Sequence, residues 1–180
     1  MSESDSVIIR RAERRDLPAL GSLGASLMRI HFAFDERRFM SPGEHPEHGY
    51  AQFLDAQLAD PAMLVLVAER APTEILGYVY AGVEPQSFKE LRERAGYIHD
   101  LLVTDEARGG GVGPRLLEAA VAWLREQGVP RVLLWTAAPN DKARKLFAAH
   151  GFSPTMVEMT RELSSNESQA RASDSARIRR

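Results

Sequence analysis

Arg108-Gly109-Gly110-Gly111-Val112-Gly113 follows an apolar run, Tyr97-Ile98-His99-Asp100-Leu101-Leu102-Val103, and precedes a helical pattern opening at Pro114. An extended segment, a basic glycine-rich loop and a helix start together suit a pyrophosphate. Glycines let backbone N–H groups turn inward and approach a ligand closely. The helix start adds unpaired donors and the positive end of its dipole. A nucleotide-type cofactor is therefore expected here. No Gly-Lys-Ser/Thr follows, which excludes the nucleoside-triphosphate loop. The dinucleotide fingerprint fails as well, because the glycines it needs fall on Pro114 or Leu116.

Working outward, 180 residues and 20.0 kDa suit one domain. The expected boundaries are residues 1–163 for the domain and 164–180 for a tail. That tail is Ser-, Ala- and Arg-rich with Ile178 as its one aliphatic residue, and reads as disordered. A net charge of −2 carries no nucleic-acid footprint. With no cysteine, disulfides, thiolate metal sites and a cysteine nucleophile are excluded. His31, His45 and His48 lack metal-ligand spacing, so no metal site is expected. The first residues lack the apolar core of a signal peptide, and Ala62–Ala68 is too short to span a bilayer. The expectation is a cytoplasmic protein that binds neither membrane nor nucleic acid.

Val7–Arg10 reads as a strand. Asp16 reads as the cap of a helix whose Leu17, Leu20, Leu23, Leu27 and Ile30 form a core stripe, weakened at Gly21 and Gly24. Glu47–Ala59 reads as a second helix. Ala62–Arg70 and Glu74–Val83 read as a hairpin joined around Ala71-Pro72-Thr73, and Gln86–Ala95 as a helix-compatible connector. After the strand Tyr97–Val103, the helix from Pro114 ends at Gly128 and Pro130. A strand at Arg131–Thr136 and a helix from Asn140 closed by Gly151 follow. Thr155–Leu163 alternates like a last strand. The order predicts an α+β (mixed α/β) fold, a mixed and mostly antiparallel sheet with helices on both faces. The unit from Tyr97 to Thr136 is expected to be parallel.

Arg108, Gly111 and Gly113 fill the pattern Arg/Gln-x-x-Gly-x-Gly/Ala after a strand ending in Val103, and Asn140, Ala143, Gly151 and Phe152 fill a second block. From Tyr97 to Pro154 the chain resembles the GNAT superfamily of N-acetyltransferases. The resemblance implies an acyl-CoA N-acyltransferase fold with acetyl-CoA as co-substrate. It implies direct acetyl transfer to a primary amine of a small molecule or peptide. It places the pyrophosphate on Arg108, Gly109, Gly110, Gly111, Val112 and Gly113. It lays the pantetheine arm along the backbone of Leu101, Leu102 and Val103, where the last two parallel strands splay, and makes Asn140 a further contact or a helix cap. Arg115, Lys142 and Arg144 are phosphate candidates that read better as solvated helix charges.

The base is open between His99 and Asp100, which face opposite sides of a strand unless a bulge intervenes. His99 has a suitable ordinary pKa near 6.5. The position usually Tyr in the family is Phe147, which has no proton to donate, so Tyr78, Tyr80 or water is left as acid. Asp35 and Glu36 are candidates to attract the acceptor ammonium, set against a solvated loop with Phe anchors. A non-catalytic acyl-CoA-binding or sensing domain is the alternative function. A homodimer is left open.

Overall fold

Strand β1, Val7–Arg11, opens a five-stranded sheet in a computed structural model that describes residues 6–70 and 73–163. The tail expected from 164 and the Ala71-Pro72 part of the hairpin turn lie outside the described residues. A single 3-10 turn, Arg14–Asp16, leads into α1, Leu17–Phe34. Then come α2 (Pro46–Leu58), β2 (Met63–Arg70), β3 (Glu74–Glu84) and β4 (Ala95–Val103). The chain continues through α3 (Val112–Glu126), β5 (Val132–Leu134) and α4 (Asp141–Ala149). Strands β1 to β4 pair antiparallel in sequence order, and β5 pairs parallel to β4. The mixed, mostly antiparallel α+β sheet read from the sequence is the observed one. Among the described residues no helix is long and apolar enough to cross a membrane.

The alternation of β2 and β3 divides their side chains between two layers. Val65, Val67, Tyr78 and Tyr80, with Leu102 of β4, pack under Leu20 and Leu23 of α1 and Leu54 of α2. Helix α3 buries Leu116, Leu117, Ala120 and Leu124, and the Leu124 side chain lies where a Cβ on Gly96 of β4 would meet it at 2.9 Å. The two glycines of α1 have a packing reason. A Cβ on Gly21 would lie 2.4 Å from the Glu47 carbonyl oxygen, and one on Gly24 would lie 1.9 Å from the Tyr50 ring. They let α2 approach closely.

The expected cap of α1 is corrected. Asp16 makes no side-chain cap to α1. Its carboxylate accepts the Glu13 N–H at 2.8 Å, inside the 3-10 turn, and takes two bonds from the Arg10 guanidinium at 2.7 and 2.9 Å. Arg10 reaches Glu69 as well, at 2.7 Å. A buried carboxylate needs a charged partner more than the helix needs its cap. The connector after β3 is not helical: Ser87 and Arg92 form an isolated antiparallel bridge, and Leu91 adopts φ 52°.

The chain divides into two compact units, one running to Leu146 and one from Phe147 on. In the second, Phe147 and Phe152 meet edge to face with ring centres 5.9 Å apart, and Gly151 takes the expected left-handed conformation at φ 83°. The expected strand Thr155–Leu163 is absent. Met156, Val157, Met159 and Leu163 are exposed. Alternation put Met156 beside Glu158 on one face and Met159 beside Arg161 on the other. Neither face is uniformly apolar, so no burial holds a register.

Candidate active site

The parallel pairing of β4 with β5 runs from Gly96↔Val132 to Ile98↔Leu134 and stops. From His99 to Val103 the β5 side of β4 has no strand partner among the described residues, which is the splay expected from the sequence. A β-bulge lies at the point of parting. Against β3, Ile98 pairs with Ala81 and Asp100 pairs with Tyr80, so His99 is the extra residue. The bulge removes the strict alternation and turns both candidate bases toward the tyrosines of β3.

His99 stacks on Tyr80 at 4.6 Å and on Tyr97 at 5.0 Å between ring centres. Its Nε2 is buried without a hydrogen-bond partner, and Glu84 Oε1 stands 3.6 Å away. Burial holds the imidazole below its ordinary pKa, with Asp100 pulling weakly the other way. It is therefore neutral near pH 7. A cavity of about 130 Å³ opens beside it, lined by Glu84, Glu90, Tyr97, Ile98, His99 and Trp135. Burial also pushes the Tyr97 and Tyr80 phenols up to about 12.

Asp100 is differently placed. The Tyr50 hydroxyl of α2 and the Tyr78 hydroxyl of β3 both donate to its Oδ2, Tyr78 at 3.1 Å. Burial raises the Asp100 carboxyl above the usual carboxylate range, and the two hydroxyls only partly offset this. Tyr80 donates to Gln57 Oε1 at 3.0 Å. Both tyrosines weighed as acids thus direct their protons to protein acceptors. Tyr50 was invisible as a site residue in the sequence. The one signal was Gly24, whose missing side chain admits its ring.

At the other end of β4, Asp105–Ala107 makes a 3-10 turn and Gly111 caps α3 in the left-handed region, φ 77°, as does Gly109 at φ 81°. A Cβ on either would meet nothing within 4 Å, so the loop faces open space. The helix starts at Val112, two residues earlier than expected. Its first intrahelical partner is Arg115, whose N–H donates to the Gly111 carbonyl at 3.3 Å. Gly111, Val112 and Gly113 thus hold the N–H groups that a helix leaves unpaired. Pro114 has none to offer.

The expected run of donors from Gly109 to Gly113 is shortened, since Gly110 donates to the Ala107 carbonyl at 3.3 Å and closes the turn. Arg108 pairs with Asp105, a loop-ordering contact. Arg115 donates to the Val7 carbonyl at 2.8 Å, and Arg144 pairs with Asp141 at 3.5 Å. Asn140 Oδ1 accepts the Ala143 N–H at 3.2 Å, so its capping role is met. The side chains of Leu102 and Val112 are buried and those of Leu101 and Val103 partly so, which leaves their main chain for any ligand.

Asp35 and Glu36 are exposed and do not line the cavity beside His99. Asp35 Oδ1 accepts the N–H groups of Arg37 at 3.0 Å and Arg38 at 3.2 Å, stabilising its own exposed turn. His31 packs nearby on Phe39 at 4.9 Å and Phe34 at 6.1 Å.

A mixed sheet that parts between its fourth and fifth strands, beside a glycine-lined helix start, is the architecture of an acyl-CoA N-acyltransferase. Residues 30–152 match the acetyltransferase (GNAT) family, and the chain belongs to that family of acyltransferases. It is 32% identical over 117 residues to a mycothiol acetyltransferase of Jonesia denitrificans, covering 61% of this chain and 35% of that one. The chain thus spans well under half the length of the mycothiol acetyltransferases it matches. In fold it is similar to a mutant form of a Bacillus halodurans protein, with TM-score 0.76 and 23% identity over 87% of this chain and 99% of that one. It is also similar to a predicted acetyltransferase of Clostridium acetobutylicum solved with acetyl-CoA, with TM-score 0.66 and 18% identity over 90% and 98%.

Proposed function

We propose that this chain, with residues 1–163 as its catalytic domain, moves an acetyl group from acetyl-CoA to a primary amine of a small molecule or peptide while both are bound. The observation that carries this reading is the stretch of β4 from His99 to Val103, which has no strand partner on its β5 side among the described residues and runs on toward the N-terminus of α3. Acetyl-CoA supplies the acetyl group already activated as a thioester. The N–H groups of Gly111, Val112 and Gly113 would hold its pyrophosphate, and the main chain of Leu101, Leu102 and Val103 its amide-bearing arm. A backbone N–H of the same stretch is the candidate oxyanion donor, a contribution of about 2.7–4 kcal/mol in other enzymes.

His99 takes the base role. Its imidazole lines a cavity, its Nε2 has no hydrogen-bond partner among the described residues, and burial keeps it unprotonated. Asp100 already accepts two hydroxyls and holds the bulge in place. The proton leaves the amine nitrogen for His99 Nε2. With Phe147 at the family's usual acid position, and the Tyr78 and Tyr80 hydroxyls turned to Asp100 and Gln57, the leaving sulfur takes its proton from His99 or water.

The test is acetyl-CoA-dependent CoA release with a panel of amines, aminoglycosides and peptides. His99→Gln is expected to lower kcat/KM by about 10²–10⁴-fold and to remove the acidic limb of the pH profile. That limb should lie below pH 6.5, because burial depresses the imidazole. A variant within a few-fold of wild type that keeps its acidic limb would remove His99 from the role. The absence of a hydroxyl at residue 147 favours one second reading, a non-catalytic acyl-CoA sensor. It would show tight binding without amine-dependent CoA release.

A further inference from the structure

We propose that the cavity beside His99 is the acceptor pocket, and that it selects a primary ammonium with no neighbouring carboxylate, its carbon chain lying against Tyr97 and Trp135. This rests on the acetyl-transfer reading above and says where the amine sits and which amines qualify.

Charge is the first argument. Glu84 and Glu90 line the cavity, and Arg92 pairs with both, with Glu90 at 2.5 Å. Two carboxylates against one guanidinium leave a net negative wall. Arg92 sits 5.8 Å from the centre of the Tyr97 ring, on the cation-attracting face of that aromatic. The second argument is the unpaired His99 Nε2. It is buried, 3.6 Å from Glu84 Oε1, and held neutral. The His99 imidazole lines the cavity, so an amine seated there lies beside the group that would take its proton.

Shape is the third argument. The cavity measures about 130 Å³. That suffices for an ammonium and its first carbons. The way out passes Trp135, which is 71% exposed and meets Tyr97 edge to face at 5.7 Å. A flat or slender chain follows that aromatic wall. A carboxylate on the carbon bearing the nitrogen would be driven toward Glu84 and Glu90, so free α-amino acids are disfavoured.

The probes are norvaline and norvaline amide, which match in size and differ in one charge. Trp123→Phe leaves Trp135 as the sole tryptophan of the two in the chain. In that protein the amide should quench Trp135 emission with a Kd at least tenfold tighter than norvaline. Glu84→Gln and Glu90→Gln should each narrow the gap severalfold. Equal affinities, a tenfold gap that survives in both variants, or turnover of the amide with Trp135 emission unchanged would overturn the pocket. Acetyl-CoA binding, read by thermal shift on the same protein, tests the parent reading separately. Its loss would refute acetyl transfer while the amine titration still decides the pocket.

Discussion

Replacing Gly111 by Asp and by Asn separates the two things this residue does. Both side chains enter the left-handed region at φ 77°, so both carry the same kind of backbone cost, about 1–3 kcal/mol at a non-glycine position. Neither meets steric resistance, since a Cβ there has nothing within 4 Å. The difference between them is therefore one negative charge at the cap of α3. Opposite a phosphate at about 4 Å, that charge costs about 1 kcal/mol in water and about 4 at an effective dielectric constant of 20. Gly111 is exposed, so the lower half of the range applies. Asp should then bind CoA roughly 5–50-fold more weakly than Asn, at about 1.4 kcal/mol per factor of ten. Calorimetric titration at low salt reads the gap, and raising salt toward 1 M, where the screening length falls to about 3 Å, should shrink it. Thermal melts of the free proteins confirm that both are folded. Equal CoA affinities for two folded variants would refute the assignment of phosphate to this helix start.

Two further outcomes follow from contacts elsewhere. Asp16→Asn should lose about 2 kcal/mol at pH 7, because a charge-assisted pair with Arg10 becomes a neutral one. Hydrogen bonding from Arg10 holds the native Asp16 carboxyl below its ordinary value, so this contribution is present above about pH 4 and fades as pH falls through the depressed value. Urea unfolding at pH 7 and pH 3 checks it, and a gap as large at pH 3 would contradict it. Gly24→Ala would stabilise an ordinary exposed helix by roughly 0.5–1 kcal/mol. Here it should instead cost about 1–3 kcal/mol by driving the Tyr50 ring from α1 and off Asp100, and a melt within about 0.5 kcal/mol of wild type would show that the ring has room.

The glycine loop, the end of α3, the Asn140 cap and the left-handed Gly151 were legible because each depends on neighbouring residues. A positive φ, an unpaired N–H and a short polar side chain act within one turn, and adjacent letters encode them. The order of strands and the mixed sheet were legible from alternation and length. Three features were decided only in the folded chain. The bulge at His99 depends on how β4 registers against β3, and it breaks the alternation that set His99 and Asp100 on opposite faces. Asp100 met Tyr50, fifty positions away, because Gly24 in a third element left room for the ring. The acidic aromatic cavity joined the end of β3, the loop after it, β4 and the residue after β5, and Asp35 and Glu36, adjacent and conspicuous in the sequence, do not line it. Side chains that converge from distant segments are placed by strand register and packing. No local propensity carries that information, so the tertiary structure alone decided which carboxylates and which imidazole line one cavity.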